Sequence, residues 1–144
     1  MGKIQINIVG KSKLLIFSQL RFLAHQYAAQ FDKDIVIEKN TPKFLDKLTK
    51  EEFDDPRIVY LSADDEEKMI GIAILSLPVG IDSSAYLGEL FVIQDYRGAG
   101  IGSKLVDKAI KITKERGLNN FQNTVAWKET FSPESKLKTT HWAG

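Results

Sequence analysis

The sequence predicts one α/β domain, a mixed sheet with helices on its faces. Three observations carry this. The apolar patterns run strand, helix, helix, three strands, helix, strand, and strands bunched mid-chain between helices suggest a mixed sheet. The 144 residues suffice for one core, and no repeat or linker divides them, so residues 1–144 read as a single domain. Finally, the segment Arg97-Gly98-Ala99-Gly100-Ile101-Gly102-Ser103 stands where the fourth strand hands over to a helix.

Each element has its own signal. Ile4, Ile6 and Ile8 alternate with Gln5 and Asn7, which predicts a strand over Ile4–Val9. From about Ser12 to Phe31, Ile16, Leu20, Leu23, Ala24, Tyr27, Ala28 and Phe31 recur at helical spacing, with Ser12 as a candidate cap. Thr41-Pro42 opens a second helix with Phe44, Leu45 and Leu48 on its apolar face, and Thr49-Lys50-Glu51-Glu52 reads as a capping box for a further turn. Arg57–Ser62 and Met69–Leu77 read as a hairpin around a solvated turn at Asp64-Asp65-Glu66-Glu67. Pro78–Ser84 is a loop, and Tyr86–Ile93 is a fourth strand. Gly102–Arg116 is a helix that Gly117 stops, and Asn120–Trp127 is a fifth strand. Lys128–Gly144 is polar and shows no clear period.

Composition excludes several function classes. Lys plus Arg is 20 against 19 for Asp plus Glu, whereas bulk nucleic-acid binding needs a basic excess. There is no cysteine, so a disulfide framework and a thiol nucleophile are ruled out and a cytoplasmic location is permitted. No signal-peptide pattern opens the chain, and its apolar runs are shorter than the ~20 residues of a membrane helix. The two histidines, His25 and His141, lack metal-ligand spacing, so no metal is expected. His25 reads either as lining of a substrate cleft or as a satisfied surface residue.

The glycine segment carries the chemistry. Three glycines in five residues bare the backbone, and N–H groups at a helix start favour an anion. Arg97 adds a fork of donors suited to phosphate. A dinucleotide fingerprint needs a third glycine where Ser103 stands and a first glycine directly after the strand, whereas Gln94–Arg97 intervene. No Gly-Lys-Ser/Thr follows, so a Walker loop is absent. A nicotinamide-binding domain is the weaker reading, and a pyrophosphate cradle the stronger.

With its lead-in Glu89-Leu90-Phe91-Val92-Ile93-Gln94-Asp95-Tyr96, the motif Arg97-Gly98-Ala99-Gly100-Ile101-Gly102 resembles the [Q/R]-x-x-G-x-[G/A] signature of the GNAT superfamily of acyl-CoA-dependent N-acetyltransferases. The hairpin Ile58–Leu77, with Ile70-Gly71 opening its second strand, fits too, and the resemblance covers roughly the first 85–90% of the chain. It implies a mostly antiparallel mixed sheet whose fourth and fifth strands splay into a cleft for acetyl-CoA. Backbone groups of Phe91 and Val92 would hold the pantetheine arm, and Arg97, Gly98, Ala99, Gly100, Ile101, Gly102 and Ser103 the pyrophosphate. Lys104, Lys108, Lys111, Lys114 and Arg116 outnumber Asp107 and Glu115 on the helix that follows; they offer charge for the 3′-phosphate or form a solvated face.

The implied reaction is direct transfer of acetyl from acetyl-CoA to a primary amine of a small molecule or peptide. The alternative is a non-catalytic acyl-CoA-binding sensor. Glu89 is the candidate catalytic base: a carboxylate inside an apolar strand needs a purpose or partner, and burial would raise its pKa; the alternatives are a structural pairing with a nearby Arg or Lys and substrate orientation alone. Alternation puts Leu87 and Phe91 on its face. The Val92 N–H is a candidate oxyanion donor. The family's N-x-x-A-x-x-[F/L]-Y pattern, whose tyrosine serves as general acid, is missing after Trp127, and Tyr86 and Tyr96 are left as tyrosines near the cleft, each read first as a packing residue. The C-terminal part therefore reads as shortened or altered, with weak activity or completion by a second copy, as a homodimer, as its consequences.

Overall fold

The computed structural model describes residues 3–31, 41–78, 84–118, 120–124 and 137–141. A six-stranded sheet follows chain order: β1 (Ile4–Ile8), β2 (Ile58–Asp65), β3 (Lys68–Ser76), β4 (Ala85–Val92), β5 (Asn120–Thr124) and β6 (Leu137–His141). Neighbours are antiparallel except β4 and β5. A parallel step needs a crossover, and α3 (Ile101–Glu115) supplies it. Helices α1 (Leu14–Ala28) and α2 (Pro42–Phe53) lie between β1 and β2 in sequence. The mixed, mostly antiparallel sheet is thus as the sequence predicts. The tail is not patternless, because Leu137–His141 adds an antiparallel strand to β5.

β2 is buried at every position from Val59 to Ala63 and β3 from Met69 to Leu75, which requires cover on both faces. On one face α1 packs on β3 and β4, and α2 on α1 and β2. Phe17 of α1 stacks on Tyr60 of β2, ring centroids 4.2 Å apart. On the other face α3 spans β1 to β5, burying Ile101, Leu105, Ala109 and Ile112. A Cβ on Gly102 would lie 3.9 Å from Leu90 Cδ2, so Leu90 points to α3 while Phe91, whose ring meets Tyr27 of α1, points the other way.

Several local expectations change. The buried stripe of α1 is Leu14, Phe17, Ser18, Leu20, Arg21, Ala24 and Ala28; Ile16, Leu23 and Phe31 are exposed. Facing the sheet selects the stripe with Phe17, because Tyr60 offers it a ring. Ser12 lies in a 3-10 turn, Lys11–Lys13, and caps nothing. Thr41 does cap α2, its hydroxyl accepting from the Phe44 N–H at 3.1 Å. The proposed capping box does not form: α2 runs unbroken to Phe53, with Thr49 buried inside it. Asp64 and Asp65 belong to β2, and only Glu66 and Glu67 make the turn.

β4 carries the irregularity that matters. Ile74 pairs with Gly88 and Ile72 with Phe91, so β4 inserts one extra residue opposite Ala73. Glu89 sits in this bulge at φ +49°, a left-handed conformation uncommon outside glycine. The bulge breaks the expected alternation, and Leu90 and Phe91 are consecutive buried residues. β4 pairs with β5 only through Ala85–Leu87. Among the described residues, the β5-side edge of Gly88–Val92 has no strand on it. The expected loop at 79–83 and the strand beyond Thr124 lie outside the described residues.

Candidate active site

The site grows from Glu89. The bulge aims its side chain at α1, where Arg21 and His25 stand one turn apart on one face. Arg21 donates from Nε to Oε1 at 3.1 Å and from Nη2 to Oε2 at 2.8 Å, a two-point clamp on a carboxylate. His25 Nε2 lies 2.8 Å from the same Oε1. The Arg21 side chain is 3% exposed, against 29% for Glu89 and 23% for His25.

A buried guanidinium must be matched in charge and hydrogen bonds. Nη1 of Arg21 donates to Glu52 Oε1 at 2.8 Å and to Thr49 Oγ1 at 3.1 Å, both on α2. The Tyr60 hydroxyl donates to Glu52 Oε1 at 2.8 Å. One cation thus joins α1, α2 and β4, with Tyr60 of β2 bracing its second carboxylate. Ser18 donates to Asp46 and ties α1 to α2 beside it. The Arg21 network also explains Thr49 and Glu52, whose 3-residue spacing suggests a cap in the sequence and here places both on the α1-facing side of α2.

Protonation follows from these contacts. Burial pushes the Glu89 carboxyl up, but hydrogen bonding from His25 and the charge and donors of Arg21 outweigh it, and its pKa ends below the ordinary carboxylate value. The raised pKa expected from burial is therefore reversed, because the sequence gives no hint that α1 delivers a cation to this strand. Burial likewise lowers the Arg21 pKa, and Glu89 and Glu52 more than restore it. The Tyr60 hydroxyl is pushed well up by burial, with its bond to Glu52 adding to the shift.

From Glu89 the site continues along β4 to the glycine turn. The Ile93 N–H donates to Ile70 O at 2.9 Å. Alternate residues of a strand turn their backbone groups to the same side, so Phe91 faces Ile72 of β3 and Val92 faces the open edge. The Phe91 backbone is therefore engaged by β3, and its ring packs against Tyr27. The Val92 carbonyl accepts from Arg97 Nε at 2.8 Å. The Arg97 guanidinium lies 4.2 Å over the Tyr27 ring and 5.5 Å from that of Phe91, so its side chain turns back over β4 instead of lying along the glycines.

Gly98 and Gly100 adopt φ +83° and +78°, conformations that cost an L-residue about 1–2 kcal/mol. A Cβ on either would meet nothing within 4 Å. Glycine is needed there for the turn, and the space above both is open. Gly102 has no such φ and is already helical. Leading into α3, Lys104 is the first residue to return an N–H bond, to Gly100 O at 3.2 Å; among the described residues no backbone carbonyl takes the N–H groups of Gly98 to Ser103. They form the anion-favouring end of a 15-residue helix.

Tyr96 hydrogen-bonds Asp65 at 2.7 Å, bracing the turn on the hairpin, and Tyr86 is exposed on β4. Among the described residues no cluster of His, Asp and Glu could hold a metal ion, and no helix is long and apolar enough to cross a membrane. Residues 32–40, and the stretch 125–136 where the N-x-x-A-x-x-[F/L]-Y pattern is missing, lie outside the described residues.

Residues 22–129 match the model of the acetyltransferase (GNAT) family. The chain belongs to the GNAT acetyltransferase family. No curated protein sequence matches it. Among solved structures, this GNAT chain is similar to PaiA N-acetyltransferase from Thermoplasma acidophilum in complex with coenzyme A, at 22% identity and TM-score 0.65, over 85% of this chain and 79% of that one. It is similar to a GCN5-related N-acetyltransferase from Ralstonia eutropha at 16% identity and TM-score 0.69, over 86% and 84%. It is also similar to spermidine N-acetyltransferase from Vibrio cholerae in complex with CoA and spermine, at 15% identity and TM-score 0.63, over 83% and 69%. At these identities the likeness is one of fold.

Proposed function

We propose that this protein is a cytoplasmic N-acetyltransferase that moves an acetyl group from acetyl-CoA to a primary amine. The observation that carries the reading is continuity. The N–H groups of Gly98–Ser103 stand one short turn from the open edge of Val92, and β4 leads from there to the anionic Glu89. The CoA and acetyl-CoA carried by relatives of the same fold support it.

In this reading the pyrophosphate lies on the amides of Gly98, Ala99, Gly100, Ile101, Gly102 and Ser103, with the charge of Arg97 at its edge. The Val92 N–H, facing the cleft, stabilises charge on the thioester oxygen. Phe91 and Tyr27 form an apolar wall that excludes water. Bound acetyl-CoA supplies the activated acyl group: the amine lone pair forms the C–N bond, the C–S bond breaks, and the sulfur leaves with the nitrogen's second proton. Glu89 is the catalytic carboxylate. Its charge draws the acceptor ammonium into the cleft, where the first proton must pass to a base before nitrogen has a lone pair to attack with.

The test is thiol release from acetyl-CoA with a panel of primary amines, for the wild type and Glu89→Gln. Acceptor-dependent release that falls about 10²–10⁴-fold in Glu89→Gln is the expected result. CoA binding with no release from the wild type would make the protein an acyl-CoA-binding sensor instead.

A further inference from the structure

We infer that His25 is the group that takes the acceptor's proton, at Nδ1, with Glu89 as its orienting carboxylate and Arg21 as the positioning residue behind both. The inference rests on the acyl-transfer reading and names the proton acceptor within it.

Geometry comes first. Three donors converge on the two Glu89 oxygens: Arg21 Nε and His25 Nε2 on Oε1, and Arg21 Nη2 on Oε2. A carboxylate clamped in this way is a stabilised anion, and a stabilised anion is a weak base. Its partner is better suited. Glu89 is ionised and has no hydrogen to give, so the 2.8 Å contact with His25 requires the hydrogen on Nε2. The lone pair of a neutral ring then resides on Nδ1. No described residue hydrogen-bonds that nitrogen, and the side chain is 23% exposed.

Position agrees. His25 lies one turn beyond Arg21, and Tyr27, two residues further on, meets Phe91 and Arg97. The C-terminal half of α1 therefore overlies β4 from Glu89 to Phe91, the stretch beyond the β5 pairing. Among the described residues the charged and titratable groups around His25 are Glu89 of β4 and Arg21 of its own helix, with Glu52 of α2 and Tyr60 of β2 one contact further.

The step balances simply. An N–H bond of the ammonium breaks, its electron pair stays on nitrogen, and the proton bonds to Nδ1. The resulting imidazolium is paired with Glu89 and later returns its proton to water. Arg21 never meets the acceptor. It keeps Glu89 ionised and aimed, which fixes the ring's tautomer.

The experiment has three arms on the full chain. Wild-type thiol release with amines is measured first; its absence overturns the acyl-transfer reading itself. With wild-type turnover in hand, His25→Gln keeps a donor for Glu89 but loses the proton acceptor. It is expected to lower kcat about 10²–10⁴-fold and to leave calorimetric CoA affinity unchanged. Turnover within threefold of wild type overturns the assignment while leaving acyl transfer standing. Nitrogen-15 NMR of the wild-type imidazole decides the matter should the variant not fold: the Nε2–H tautomer is expected, and an Nδ1–H tautomer overturns it.

Discussion

Glu89 shows how one backbone angle converts a strand residue into a site residue. At φ +49° it leaves the ladder and turns to Arg21 and His25. The sequence exposes the carboxylate, because an acid between Leu87 and Phe91 is anomalous. It does not expose the bulge, which arises from pairing with Ala73 across the sheet. Arg21 has a weak sequence signal: it stands four from Phe17 and three from Ala24, a charge within an apolar stripe. The competing stripe through Ile16 and Leu23 hides it. Among the glycines, Gly100→Glu is expected to abolish CoA binding by filling the cradle, at a cost of about 1–2 kcal/mol in strain. Gly102→Ala, with negative φ and a neighbour at ordinary contact distance, should retain both stability and CoA affinity. Urea midpoints and calorimetry on the two variants check this, and equal CoA affinities would contradict it.

At the scale of elements, the helices were legible where local chemistry decides and illegible where packing does. Thr41-Pro42 marks the start of α2 by capping alone, and Thr41→Ala should destabilise by about 1 kcal/mol in chemical denaturation. The Thr49–Glu52 segment carries the same kind of signal, yet the helix continues through it because Arg21 holds both side chains from α1. The junction of α1, α2 and β4 therefore depends on one cation. Arg21→Met removes it and leaves Glu52 and Glu89 without their shared cation, with Tyr60 and His25 as their remaining described partners. A loss of about 3–5 kcal/mol is expected, measured by urea denaturation at pH 7; a loss below 1 kcal/mol would show that the clamp contributes little to holding the helices.

For the whole molecule, the same cluster links stability to pH. The Glu89 pKa is lower in the folded chain than its ordinary value of 4.5, so the unfolded chain binds its proton more readily. The stabilisation is complete above that ordinary value and is lost as pH falls through the folded one. Urea midpoints measured from pH 7 to pH 3 should fall more steeply for wild type than for Glu89→Gln. Equal slopes would contradict the clamp. The mixed sheet and the β2–β3 hairpin were legible from element order and the turn between them. The sixth strand was not, since Leu137–His141 gains its definition only from β5. The account's central claim is that the bared amides at the start of α3 hold a diphosphate, and titration calorimetry with coenzyme A tests it most directly. Saturable heat from the wild type, with none from Gly100→Glu, is the predicted result. Wild-type protein that gives no saturable heat at millimolar coenzyme A would contradict it.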